Sequence, residues 1–155
     1  MVIYIDSTYM PRNKPLSYAY NPDLITLLEA EHDELGADCD LIFRYIKNKD
    51  FDELNKAFNR FSSLLQTHWA NERKMYTYLD LVVSKCDGRY KDTRTEMRAI
   101  ASSINSTINL HTNIPINKST LKDFKKDFSI LTKALIGRIR YEEKYLFKEY
   151  DEHFE

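Results

Sequence analysis

Apolar residues recur along this chain at alternating steps of three and four, which is the spacing of one face of an α-helix. Four segments carry such a stripe, and shorter polar or proline-containing stretches separate them. The stripes predict helices over about residues 22–47, 50–83 and 92–110, and a fourth helix that follows residue 119. Short connections place consecutive helices side by side in opposite directions. The pattern therefore predicts an all-α fold, an antiparallel up-down four-helix bundle.

The helix starts are predicted from capping residues. Asn21 followed by Pro22 indicates an N-cap and a proline at the first helical position. Asp50 and Glu53 stand three residues apart, as in a capping box, and Ser119 can cap the fourth helix. These residues divide the chain into an N-terminal arm over residues 1–20, which contains two prolines and lacks clear periodicity, and a bundle domain over residues 21–155.

Composition removes several classes of partner. The 155 residues carry a formal net charge of −1, so bulk charge predicts neither a nucleic-acid nor a membrane partner. No apolar run approaches the roughly 18 residues of a membrane helix. The two cysteines, Cys39 and Cys86, cannot build a disulfide framework, which favours a reducing, cytoplasmic location. The oligomeric state stays open.

Polar residues interrupt three of the otherwise apolar stripes. Charged side chains are rarely buried unless they are paired or bind a metal. His68 and Glu72 lie one turn apart on the second helix, as do Arg138 and Glu142 on the fourth. If these helices pack in register with the first helix, which contributes His32, all five side chains meet in one layer of the core.

These positions resemble the hemerythrin, or HHE cation-binding, family, whose four-helix bundles hold two iron ions. The segments that carry the resemblance are LLEAEHDEL with His32, LLQTHWANERKMYTYL with His68 and Glu72, and RIRYEEKYLF with Glu142. The resemblance runs from about residue 24 to residue 150. It implies a hemerythrin-like fold and identifies these four residues as possible metal ligands.

Two positions depart from the family pattern. Met97, in TEMRAIASSI, stands where the third helix normally supplies a histidine, and Arg138 replaces the histidine of the fourth helix. The ion that these histidines would hold therefore has no imidazole ligand. Arginine stays protonated and cannot become a ligand, but its cation can neutralise the two carboxylates. A two-iron oxygen site is not expected.

The fourth helix also resembles a second family, the regulator of sigma D (Rsd/AlgQ) proteins, which are four-helix anti-sigma factors. Residues 134–138, read with residues 142–144, fit the closing segment of that family, and Arg138 takes the expected place. The match covers only this helix well. It implies a bundle that acts by contact with a protein partner, such as a sigma factor.

Three functions remain open from the sequence. We favour a non-catalytic regulatory or interaction protein on a degenerate hemerythrin-like bundle, with a protein partner, a metal-free salt-bridge cluster and no cofactor. The alternative is a metal-binding sensor with a single iron or zinc ion at His32, His68, Glu72 and Glu142. An oxidase or peroxide-handling enzyme on the same cluster ranks third.

Five other residues carry smaller expectations. His111 and His153 are expected to be surface residues, and Tyr145 is expected on the buried stripe of the fourth helix. Gly36 and Gly137 are expected to permit close approach between helices.

Overall fold

The computed structural model describes residues 19–152. Four long helices dominate this part of the chain: α1 (Leu24–Asn48), α2 (Phe51–Tyr78), α3 (Lys91–Asn113) and α4 (Leu121–Tyr141). Helix α2 continues into a first π-turn (Leu79–Val83), and α4 continues through a second π-turn (Glu142–Leu146) into the short helix α5 (Phe147–Glu152). Helix α1 packs on α2 and α3 on α4, while α1–α4 and α2–α3 contacts close the bundle. The predicted all-α four-helix bundle is confirmed.

The start of α2 agrees with the sequence prediction, whereas the starts of α1 and α4 differ from it. The Asp50 side chain accepts a hydrogen bond from the backbone N–H of Glu53, so Asp50 caps α2 as predicted. Helix α1 instead begins after Asp23, because the Asn21 side chain accepts from the Asp23 N–H and forms a turn before the helix. Similarly, Thr120 rather than Ser119 precedes α4.

The predicted N-terminal arm lies almost wholly outside the described residues, and its boundary stays a prediction. The part that is described packs on the far end of the chain. The Tyr20 hydroxyl donates to Asp151 over 2.8 Å, and the Asn21 N–H donates to the Tyr150 hydroxyl over 2.8 Å. The chain therefore enters the bundle beside α5.

The core consists of two apolar clusters at opposite ends of the bundle. One contains Leu35, Phe58, Phe61, Phe128 and neighbouring residues of all four long helices. The other contains buried residues from the beginning of α1, the end of α2, the beginning of α3, and α5. Along α1, along α2 and along α4 with its π-turn, the polar positions singled out in the sequence fall between these two clusters. A buried polar layer thus divides the apolar core.

The second π-turn changes which residues face the core. A π-turn adds a residue to the helical repeat, so positions that follow it rotate relative to the α-helical stripe. Leu146 and Phe147 are buried, whereas Tyr145 is 48% exposed. The prediction that Tyr145 lies on the buried stripe is wrong for this reason.

Neither helical glycine mediates close packing. A Cβ atom added to Gly36 or Gly137 would meet nothing within 4 Å, and both residues are exposed. The expectation that they permit close helix approach is therefore wrong. Across residues 19–152, none of the helices combines the length and apolarity that crossing a membrane requires.

Candidate metal centre

Side chains from α1, α2 and the second π-turn converge in the polar layer. His32 comes from α1, His68 and Glu72 come from successive turns of α2, and Glu142 opens the second π-turn. One ligand atom from each of these residues lies within 4.8 Å of the others. Their exposed fractions run only from 0% to 5%. The structure thus brings together the four residues that the sequence indicated.

The ligand atoms face one another across a short distance. The Nε2 atoms of His32 and His68 are 3.1 Å apart. Glu72 Oε2 approaches His68 Nε2 to 2.6 Å, and Glu142 Oε1 lies 3.6 Å from His32 Nε2. Two imidazole nitrogens and two carboxylate oxygens therefore surround one small volume of the core.

The Nδ1 atom of each imidazole, which faces away from the cluster, contacts a further carboxylate. His68 Nδ1 lies 3.0 Å from Glu31 Oε1, and Asn71 donates to the other oxygen of Glu31 over 2.8 Å. His32 Nδ1 lies 3.0 Å from Glu143 Oε1. Such carboxylates commonly orient histidines that bind metals.

These outer contacts determine where the ring protons sit. A carboxylate oxygen only accepts, so Nδ1 of each ring is the donor to Glu143 or Glu31, and a ring that carries no second proton can offer its Nε2 lone pair to a cation. The Nε2 atoms of His32 and His68 both face the same volume as the carboxylates. Glu72 Oε2 and Glu142 Oε1 are buried, and within residues 19–152 neither has a hydrogen-bond partner apart from the contact of Glu72 Oε2 with His68 Nε2. Two imidazole nitrogens and two carboxylate oxygens form a ligand set that suits a cation.

Arg138 neutralises the opposite side of the carboxylates. Its Nε donates to Glu72 Oε1 over 3.0 Å, its Nη2 contacts the same oxygen, and its Nε lies 3.6 Å from Glu142 Oε2. Its Nη1 donates to the backbone carbonyl of Met97 over 3.1 Å, and the guanidinium lies 5.8 Å from the ring centre of Trp69. Arg138 therefore contacts the oxygens that face away from the histidines, and the other two oxygens lie on the side of the histidines.

The two buried carboxyls differ in their readiness to ionise. Burial raises the pKa of Glu142 well above its usual value, and the nearby charge of Glu72 raises it further. Burial also disfavours the Glu72 anion, but contacts with Glu142, His68 and Arg138 outweigh this and lower its pKa. The Tyr76 hydroxyl donates to Glu142 Oε2 over 2.9 Å. The pair thus tends to hold one proton when no ion is bound.

The two histidines also differ. Burial lowers the pKa of His32, and the contact with Glu143 opposes this only in part. Burial acts in the same direction on His68, but Glu72 and Glu31 outweigh it and raise its pKa. His32 is therefore the ring that more readily stays neutral.

Met97 and His111 complete the comparison with the sequence. The Met97 side chain is buried in the apolar cluster beside the polar layer. His111 is buried, not a surface residue, because α3 extends to Asn113 and His111 Nε2 meets Asp127 of α4 at 2.8 Å. His153 lies outside the described residues.

Sequence reasoning missed Glu31 and Glu143, the carboxylates that contact the histidines. Glu31 immediately precedes His32, and Glu143 immediately follows Glu142, so both stand beside the buried stripe rather than on it. An acidic neighbour next to each ligand position was the available signal.

The model of the hemerythrin HHE cation-binding domain matches residues 23–151 of this chain. This range contains all four long helices and every residue of the cluster. No curated protein and no solved structure matches the chain significantly. The resemblance to the regulator of sigma D proteins gains no support from these comparisons.

Proposed function

Because the chain belongs to the family of hemerythrin HHE cation-binding domains, we propose that it binds one transition-metal ion inside its bundle. The ligands in this proposal are His32 Nε2, His68 Nε2, Glu72 Oε2 and Glu142 Oε1. The observation that carries it is the convergence of these four ligand atoms, among which Glu142 Oε1 is buried with no hydrogen-bond partner in the described part of the chain. A cation would satisfy all of them at once.

The proposed stoichiometry of one ion per chain follows from Arg138 and Met97. The guanidinium lies against Glu72 and Glu142 on the side away from the histidines, and its contact with the Met97 carbonyl links α4 to α3. A second cation there would meet the charge of Arg138 and would find no imidazole. Arg138 thus substitutes for a second ion in this bundle.

Two imidazoles and two carboxylates suit iron or zinc. A bound iron ion would supply one-electron redox chemistry, whereas zinc would supply a redox-inert cross-link. The residues of the chain supply orientation: Glu31 and Glu143 set the two rings, and Tyr76 fixes the outer oxygen of Glu142. Binding would displace the proton that the carboxyl pair tends to hold.

The role we propose for the bound ion is regulatory rather than catalytic. The ligand side chains are at most 5% exposed, so a substrate larger than an ion cannot contact them in this conformation. The same ion would join α1, α2 and the second π-turn, and its binding would stabilise the folded bundle by mass action. A metal-dependent change in stability is a simple basis for a sensor that acts on a protein partner. A sigma factor is one such partner suggested by the sequence of α4.

The test is metal content together with a Co²⁺ titration. Protein purified without chelators is analysed for metals, and metal-free protein is titrated with Co²⁺ while its visible absorption is recorded. We expect one ion per chain for the wild type and loss of binding in His68→Gln. His111→Gln is the matched control, because His111 is also a buried histidine paired with a carboxylate but lies away from the cluster. Binding that survives in His68→Gln would contradict the proposal.

A further inference from the structure

A surface cavity lies against the His32 side of the cluster. It is open to the surface and has a volume of about 420 Å³ between α1 and α5, and its walls include Ile25 and Glu29 of α1. Glu143 of the second π-turn and Phe147 of α5 form the wall that faces the core. The cavity is thus separated from the proposed metal ligands by two side chains.

Both of these side chains also contact His32. Glu143 Oε1 lies 3.0 Å from His32 Nδ1, yet the Glu143 side chain is 43% exposed while that of His32 is 2% exposed. The Phe147 ring stacks on the imidazole, with centres 5.4 Å apart and planes 13° from parallel. Glu143 and Phe147 therefore join the cavity directly to a proposed ligand.

The charges around the cavity favour a cation. Four carboxylates line it, those of Glu29, Glu143, Asp151 and Glu152, against the single ammonium of Lys148. Like charges that line a concave surface concentrate the field and raise the local concentration of oppositely charged ions. A hydrated divalent cation would therefore be enriched beside His32.

The other faces of the cluster are less suited to the passage of a cation. On the side of α3 and α4, the Arg138 guanidinium lies between Glu72 and the Trp69 ring, and its positive charge repels an approaching ion. At His68, the orienting carboxylate of Glu31 is itself buried and bonded to Asn71. Of the two carboxylates that orient the histidines, only Glu143 reaches the solvent.

We propose that the cavity is the route by which a divalent cation reaches and leaves the cluster, and that Glu143 and Phe147 gate this route. The inference rests on the proposed metal binding and adds its path and its control. Glu143 is a positioning residue in this scheme: it orients His32 when the ion is bound and receives the cation when the gate opens. Phe147 covers the ring and must move aside for the ion to pass.

The experiment measures the uptake and release of Co²⁺ by the full chain. Trp69, the single tryptophan, directly follows His68, so its fluorescence reports occupancy of the site. Uptake is followed after rapid mixing of metal-free protein with Co²⁺, and release after mixing of loaded protein with excess EDTA. Circular dichroism first verifies that each variant is folded.

Two isosteric variants separate orientation from access. Glu31→Gln and Glu143→Gln each weaken the hold on one histidine, and loss of such contacts typically costs about 10-fold to 100-fold in metal affinity. We expect Glu31→Gln to accelerate release about 10-fold and to leave uptake unchanged. Glu143→Gln should accelerate release and also slow uptake several-fold, because the variant lacks the negative charge that attracts the incoming cation.

Two further variants test the cavity itself. Glu29→Gln removes a charge that does not contact His32, so uptake should slow by about twofold at low salt and recover at high salt. Phe147→Leu keeps an apolar side chain but uncovers the ring, so uptake and release should both accelerate while the dissociation constant changes little. Unchanged rates in both variants would exclude the cavity as the route.

The outcomes distinguish this inference from the proposed function. Wild-type protein that binds no Co²⁺ overturns both. Wild-type binding with equal uptake rates in Glu143→Gln and Glu31→Gln overturns only the route, because entry would then not depend on the residue that borders the cavity.

Discussion

Removal of the Arg138 side chain tests whether the guanidinium is the counter-charge of the cluster. Arg138 is 7% exposed and contacts Glu72, Glu142 and the Met97 carbonyl. Removal of one partner of a buried ion pair typically lowers protein stability by about 3–5 kcal/mol, because the remaining charge is left uncompensated. We therefore expect Arg138→Ala to lower the free energy of unfolding of metal-free protein by about 3–5 kcal/mol at neutral pH.

Bound metal should reduce this loss. The proposed ion and Arg138 use different oxygens of Glu72 and Glu142, so in loaded protein the ion still neutralises the carboxylates. The remaining loss is that of hydrogen bonds to a charged group, about 1.5–3 kcal/mol. Arg138→Ala should thus cost less with metal than after chelation.

Lower pH should also reduce the loss in metal-free protein. In the wild type the pKa of Glu72 is lowered, so the anion contributes stability above its unfolded-state pKa, and this contribution disappears as the pH falls through the folded-state pKa. In Arg138→Ala the guanidinium no longer opposes the effect of burial, so the pKa of Glu72 rises and the carboxyl pair takes up protons at a higher pH than in the wild type. The difference between variant and wild type should shrink as the pH falls from about 7 to about 5.

The assay is urea unfolding of both proteins, with and without chelator, at two pH values. Arg140→Ala is the matched control, because Arg140 is an exposed arginine two residues away and its loss should change stability by at most about 0.5 kcal/mol. A decrease in the free energy of unfolding below about 1 kcal/mol for Arg138→Ala under every condition would refute the reasoning, because removal of a buried counter-charge should destabilise the protein more than that.

Two further predictions follow from the same structure. The double substitution Met97→His and Arg138→His should restore imidazoles on α3 and α4 and raise iron binding from one to two ions per chain, as measured by elemental analysis. A double variant that folds but binds no more iron than the wild type would show that α3 is misaligned with the family pattern. Burial raises the pKa of the Cys39 thiol to about 12, whereas Cys86 is exposed. One thiol per native chain should therefore react rapidly with a thiol reagent and the second only on unfolding; two fast thiols would contradict the packing of α1.

The helices and the polar layer could be predicted because both depend on periodicity. His32, His68, Glu72 and Glu142 stand in phase with apolar neighbours, and the phase of a helix determines which side chains face the core. The register across helices follows from the short connections between them. The helices and their buried faces depend on residues that are close in the sequence, and they are unchanged when the helices pack together.

Other features depend on geometry that the periodicity does not contain. The second π-turn rotates Tyr145 outward and brings Phe147 onto His32, and no change in composition marks the turn. Glu31 and Glu143 lie off the buried stripe, so their contacts with the histidines depend on side-chain direction. His111 is buried because Asp127 of a neighbouring helix faces it, a pairing that needs the tertiary structure.

The most direct test of the central claim is anomalous diffraction at the zinc edge from crystals of metal-free protein grown with Zn²⁺. We expect one anomalous peak per chain in the polar layer, about 2.0–2.1 Å from the Nε2 atoms of His32 and His68 and in contact with Glu72 and Glu142. Two peaks in the layer, or an empty layer with zinc bound elsewhere, would contradict the claim that this bundle holds a single ion with Arg138 in place of a second.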